Sequence, residues 1–213
     1  MTIGSAIGIF GGTFDPVHFG HLRAASEVKE MLGLSEFRLL PAGSPPHRRS
    51  TYASGLHRLA MLRLAVADHP DLLVDDREVR RLGASYMVDT LRDIREGEGD
   101  RPLILMVGQD AANQLDSWHQ WRQLFELAHL VIMTRPKSRH DYAAELAADI
   151  DSRTVSENAP LFNQPTGLVR YLEVTQLAIS STDIRRQIHH GGSPRFLLPD
   201  RILGYIDYHQ LYH

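Results

Sequence analysis

His18 and His21 stand three positions apart, directly behind a turn that begins Gly11-Gly12-Thr13 and continues through Asp15 and Pro16. Two imidazoles beside such a turn suit chemistry on phosphates. Glycines let backbone N–H groups approach an anion closely, and a helix N-terminus adds partial positive charge. The preceding run of Ala6, Ile7, Ile9 and Phe10 reads as a buried strand, and a helical pattern begins near Phe19. A helix from Phe19 would set both rings on one face at the anion end. A strand–loop–helix corner with two surface histidines is the plainer alternative. The company of Thr13, Asp15 and Pro16 favours the phosphate site. An HxxH pair could also hold zinc, but with no third ligand nearby no protein metal site is expected.

A second group lies at residues 179–186, ISSTDIRR. Ser180 or Ser181 can cap a helix and leave N–H groups and hydroxyls for an anion, with Thr182 following. Arg185 sits one turn further in, and its guanidinium can grip phosphate oxygens through two parallel donors. Alone the segment reads as an ordinary capped helix with a solvated arginine pair. Together with the first group it becomes a second phosphate clamp.

These groups need a scaffold. Strands are predicted at 37–41, 72–74, 103–107, 130–134 and 169–174, the second continuing irregularly to Val79. Helices are predicted at 56–67, 85–95, after Ser180, and at 199–211. In the 56–67 helix Leu59, Leu62, Leu64 and Val66 alternate with basic residues, as on an amphipathic surface helix. Residues 43–55 and 152–167 read as loops, the first long enough to suggest a binding loop. Alternating β and α elements imply a doubly wound α/β fold with a parallel sheet covered on both faces. Ligands in such sheets bind beyond the carboxyl ends of the strands. The suspect residues all follow strands: Gly11 to His21, the segment after Pro41, Gly108 to Asp110, and Arg135. One domain over residues 1–213 is expected, with the part from about 180 onward packed on it.

Bulk properties exclude other classes. The 213 residues carry a formal net charge of -3, unlike a general nucleic-acid binder, so any anionic substrate must be held by local donors. There are no cysteines, which removes disulfides and thiolate metal sites. No signal peptide pattern and no apolar run of about 20 residues is visible, so a cytoplasmic protein away from membranes is expected. Whether it forms a homo-oligomer is open.

The two groups together resemble the nucleotidyltransferase superfamily, in which a GxFDPxHxGH loop and an ISSTxIR helix embrace ATP. Between them PPHR at 45–48, SYMVDTL at 85–91, VGQD at 107–110, DSWHQW at 116–121 and the Arg135-Pro136 pair are similar to the bacterial nicotinate mononucleotide adenylyltransferases. The resemblance implies transfer of the adenylyl group of ATP to nicotinate mononucleotide, giving deamido-NAD and pyrophosphate, with Mg²⁺ carried by ATP. It implies catalytic roles for His18, His21 and Arg185. It places Gly11, Gly12, Thr13, Phe14, Gly20, Gly108, Asp110, Ser180, Ser181 and Thr182 at ATP. His47, Tyr86, Met87, Trp118, His119 and Arg135 fall to the mononucleotide. Trp118 would stack on the pyridine ring, and amides near Met87 and His119 would receive its carboxylate. Met87 departs from the family, where threonine is frequent. Related possibilities are nicotinamide mononucleotide or phosphopantetheine as acceptor, and a nucleotide sensor without turnover.

Overall fold

The computed structural model describes residues 6–44, 51–135, 140–175 and 177–213. Its sheet consists of β1 (Ile7–Gly12), β2 (Glu36–Pro41), β3 (Leu73–Val74), β4 (Leu103–Gly108), β5 (His129–Thr134) and β6 (Val169–Glu173). The strand order is β3-β2-β1-β4-β5-β6, and every neighbouring pair is parallel. The chain therefore winds outward from β1 in one direction and from β4 in the other. The two halves part between β1 and β4, where the connections that follow leave a crevice.

The central strands β1 and β4 are apolar because both faces are covered, whereas the outer β2 and β6 carry charged residues. Side chains alternate between two cores. Leu103, Leu105 and Val107 of β4 and Leu130 and Ile132 of β5 face one way, whereas Ile104, Met106, Val131 and Met133 face the other. The latter core is closed by α1 (Phe19–Leu32), α2 (Gly55–Ala65), α8 (Ser181–His189) and α9 (Asp200–Tyr208). The former is closed by α4 (Met87–Glu98), α5 (Gln109–Ala112), α6 (Trp121–Leu127) and α7 (Ala144–Arg153), while the one-turn α3 (Arg77–Arg80) follows β3.

Several boundaries differ from expectation. α4 starts at Met87, with Tyr86 as its N-cap in extended conformation, so neither residue 85 nor 86 is helical. The chain after Val74 forms α3 rather than continuing as a strand. The supposed loop at 152–167 contains the end of α7 and a single 3₁₀ turn at Ala159–Phe162. α9 stops at Tyr208, three residues short of the predicted end. The largest difference concerns α2. Arg58, one of the basic residues among the leucines of the predicted amphipathic helix, is fully buried, while Leu56 is exposed. Its guanidinium donates to the carbonyls of Thr13 and Gly43, each at 2.8 Å, and of Ala53 at 3.3 Å. These three hydrogen bonds to backbone carbonyls offset the burial cost of the charge.

Candidate active site

Phosphate-type chemistry in this fold needs donors at the carboxyl end of β1, and the turn after Gly12 supplies them. His18 is the N-cap of α1 and lies almost entirely out of solvent, whereas His21 is half-buried in the first turn. Their rings stack with centroids 3.7 Å apart and an interplanar angle of 24°. The His18 backbone N–H donates to His21 Nδ1 at 3.3 Å. That bond makes Nδ1 the acceptor, so the neutral His21 ring carries its proton on Nε2. Phe14 stands edge-on to His21 at 5.0 Å and holds the ring in place. Phe14 itself has φ 49, which turns the chain sharply behind the loop. A Cβ at Gly20 would lie 3.0 Å from His18 Nδ1, so only glycine leaves that ring its position.

Burial pushes the His18 pKa down to about 4. Burial, and then the neighbouring His18, hold His21 well below the ordinary imidazole range. Both rings are therefore neutral near pH 7, and His18 Nδ1 is buried without a hydrogen-bond partner. A polyanion beside them favours the protonated form. Nucleotide binding should thus take up protons, and ATP affinity should rise as the pH falls from neutrality toward about 4, where unliganded His18 titrates. Calorimetry in buffers of different ionisation enthalpy measures this directly. A buffer-independent enthalpy together with a flat affinity would refute it.

The second group comes to the same place. A cavity of about 480 Å³ is lined by Thr13, His18, Gly20 and His21 on one side, Ser180, Ser181 and Thr182 on another, and Asp110 on a third. The α8 start is braced internally. Ser180 is the N-cap: its hydroxyl oxygen accepts from Asp183 N–H at 3.1 Å, and the hydroxyl donates to Asp183 Oδ2 at 2.7 Å. Ser181 Oγ donates to the Pro16 carbonyl at 2.9 Å. These hydroxyls hold the loop, which leaves the N–H groups of the first turn as the donors facing the cavity. Arg185 lies beneath this rim and not in the lining. It donates to the Asp15 carbonyl at 2.6 Å and to Thr182 Oγ1 at 3.3 Å, and its Nε is buried without a partner.

Asp15, part of the sequence motif, and Tyr52, which the sequence does not single out, organise this loop. Asp15 Oδ2 accepts Tyr52 N–H at 2.8 Å and Oδ1 accepts Ala53 N–H at 3.1 Å. The Tyr52 ring lies 4.2 Å from the Arg185 guanidinium carbon. An aspartate before proline inside a glycine-rich turn was the available signal. Nothing local marked Tyr52.

The third group surrounds the start of α4. Met87 packs over the loop, since a Cβ on Gly11 would sit 2.5 Å from its Cε. The Tyr86 and His119 rings meet at 4.4 Å, which brings the start of α4 beside the turn that precedes α6. Arg92 of α4 fastens that turn through Gln120 Oε1 at 2.5 Å. Trp118 is half-buried against the same core, and His119 is exposed. Gly108 is the N-cap of α5, Asp110 is exposed at the cavity, and Gln109 is buried on Asn113 and Tyr142. Arg135 is exposed directly after β5. His47 lies outside the described residues. Among the described residues no group of three His, Cys, Asp or Glu is placed to hold a metal ion, and no helix is long and apolar enough to cross a membrane.

Residues 9–187 match the model of the cytidylyltransferase-like family. A protein of Methylococcus capsulatus, named probable nicotinate-nucleotide adenylyltransferase, is 51% identical over 207 residues, which is 97% of this chain and 99% of its own length. The chain belongs to the nicotinate-nucleotide adenylyltransferase family. Another member, from Hahella chejuensis, is 47% identical over 98% of this chain and 96% of its own length. The fold extends to a distant structure, the Plasmodium falciparum nicotinic acid mononucleotide adenylyltransferase complexed with NaAD. It superposes with a TM-score of 0.75 over 97% of each chain at 16% identity. The cavity between the turn after β1 and the start of α8 thus lies in a nucleotidyltransferase.

Proposed function

We propose that this chain transfers the adenylyl group of ATP to nicotinate mononucleotide, forming deamido-NAD and pyrophosphate. The convergence of His18, His21 and the start of α8 on one cavity carries the reading, since two distant donor sets suit a triphosphate. A 5′-phosphate oxygen of the mononucleotide attacks the α-phosphorus of ATP. The bond from that phosphorus to the bridging oxygen breaks, and pyrophosphate leaves with the electron pair. The attacking group is already an anion, so alignment and charge stabilisation supply most of the acceleration.

The backbone of Gly11, Gly12 and Thr13 receives phosphate oxygens. His18 and the Nε2–H of His21 stabilise the α-phosphoryl group in transit and the departing pyrophosphate. The amides of Ser181 and Thr182 hold the outer phosphates, with Arg185 adding positive charge from behind the rim. Gly108 and Asp110 take the adenosine and its ribose. The donor set is rich in N–H groups and poor in carboxylates, which fits a triphosphate that brings its own divalent cation. Mg²⁺ would be held by phosphates and water and would neutralise charge there.

Trp118, Tyr86, Met87, His119, His47 and Arg135 serve the acceptor. Amide N–H groups at the start of α4 can donate to a carboxylate but accept nothing from a carboxamide, which favours the acid. Incubation with ATP, Mg²⁺ and each of nicotinate mononucleotide, nicotinamide mononucleotide and phosphopantetheine, with pyrophosphate release followed, tests the reaction. Release with the first and negligible release with the others is expected; no release with any would end the proposal. Trp118→Ala should raise KM for the mononucleotide by roughly tenfold, the scale of one lost aromatic stack, and leave KM for ATP nearly unchanged. Equal effects on both substrates would assign Trp118 to packing.

A further inference from the structure

The chain end returns to the phosphate loop. α9 terminates in a Schellman turn, in which Gln210 N–H bonds the Asp207 carbonyl at 3.3 Å and Leu211 N–H bonds the Ile206 carbonyl at 3.0 Å. Gln210 occupies the left-handed position, with φ 51, where glycine is customary. The reversal lays Leu211 and Tyr212 back on the core. There the Tyr212 hydroxyl donates to Asp15 Oδ1 at 2.7 Å. Burial and the charge of Asp15 push the Tyr212 pKa far above the phenol range, so the hydroxyl stays a donor.

Asp15 thereby joins four separate segments. Its carboxylate takes Tyr212, Tyr52 N–H and Ala53 N–H, and its carbonyl takes Arg185. The Tyr52 ring in turn faces Arg185. Without the hydroxyl, the Asp15 carboxylate keeps the two amide donors of Tyr52 and Ala53, just ahead of α2. Tyr212 brings to that carboxylate a donor from the tail that follows α9.

We propose that Tyr212 is a positioning residue for ATP: through Asp15 it fixes residues 13–17 and Tyr52 against Arg185, so that the phosphate donors are set before nucleotide arrives. The inference rests on the adenylyl-transfer reading of this cavity. A role in packing alone would be met by the aromatic ring.

Tyr212→Phe keeps the ring and removes only the hydroxyl. Its ATP Kd, measured by calorimetry without acceptor, should rise about tenfold, the scale of one hydrogen bond to a buried charge. KM for ATP should rise in parallel while KM for nicotinate mononucleotide stays at the wild-type value. Tyr205→Phe is the control, because it removes a hydroxyl from α9, the helix that carries the tail, where it bonds His57 Nδ1 at 2.9 Å on the α2 side. That variant should bind ATP as the wild type does. An unchanged ATP Kd in Tyr212→Phe, or an equal loss in both variants, would overturn the proposal. A wild-type protein that binds ATP but turns over no acceptor would instead overturn the adenylyl-transfer reading, and leave the binding comparison intact.

Discussion

His18→Ala should lower kcat by about 10²–10³-fold, the usual consequence of removing one donor aimed at developing charge. The variant should fold, because His18 Nδ1 has no internal hydrogen-bond partner and the turn is held by other groups. KM for ATP should change much less than kcat, since the backbone donors of the loop and of α8 remain. Adding His21→Ala should cost less than the product of the two single effects, because the rings are stacked in direct contact. Pyrophosphate release under saturating substrates reads both. Wild-type turnover in His18→Ala would take the ring out of the reaction.

Arg58→Met in α2 should strongly destabilise the turn after β1. It leaves the carbonyls of Thr13, Gly43 and Ala53 without their buried donor. Breaking such a buried polar cluster costs about 3–5 kcal/mol. For a chain of this size that lowers Tm by roughly ten degrees or more. Saturating ATP should recover part of the loss by binding only the folded form. A melting temperature equal to the wild type would show that the loop does not depend on this arginine. The expectation separates α2 from an ordinary surface helix, in which losing an arginine changes little.

The contrast between His18 and Arg58 shows where sequence reading succeeds and stops. His18, His21 and the ISST segment are local: each depends on residue types within one turn of chain, and turn and capping chemistry act at that range. The strands and the helices α1, α2, α4, α8 and α9 were legible for the same reason, since apolar runs ended by glycine or proline are short-range signals, whereas α7 between β5 and β6 was not. Boundaries shifted where a cap or a turn decided them, as at Tyr86 and at Gln210. Arg58 looked like its basic neighbours because its partners are backbone carbonyls, which carry no residue identity. Arg185 was recognised, but its bond to the Asp15 carbonyl, 170 positions away, was not. Short helices such as α5 and α6 lack the periodicity that identifies longer ones.

The residue order by itself determined the alternation of β and α, the polar turn after β1 with its two imidazoles, and a capped helix near residue 180. Those features follow from backbone preferences and burial patterns that operate over a few positions. Tertiary structure alone decided the strand order β3-β2-β1-β4-β5-β6. It likewise decided that both donor sets share a cavity, that Asp15 ties four segments together, and that the last residues reach the first loop. Each of these is a contact between parts remote in sequence, selected by the packing of two cores against one sheet and by the need to pair every buried polar group.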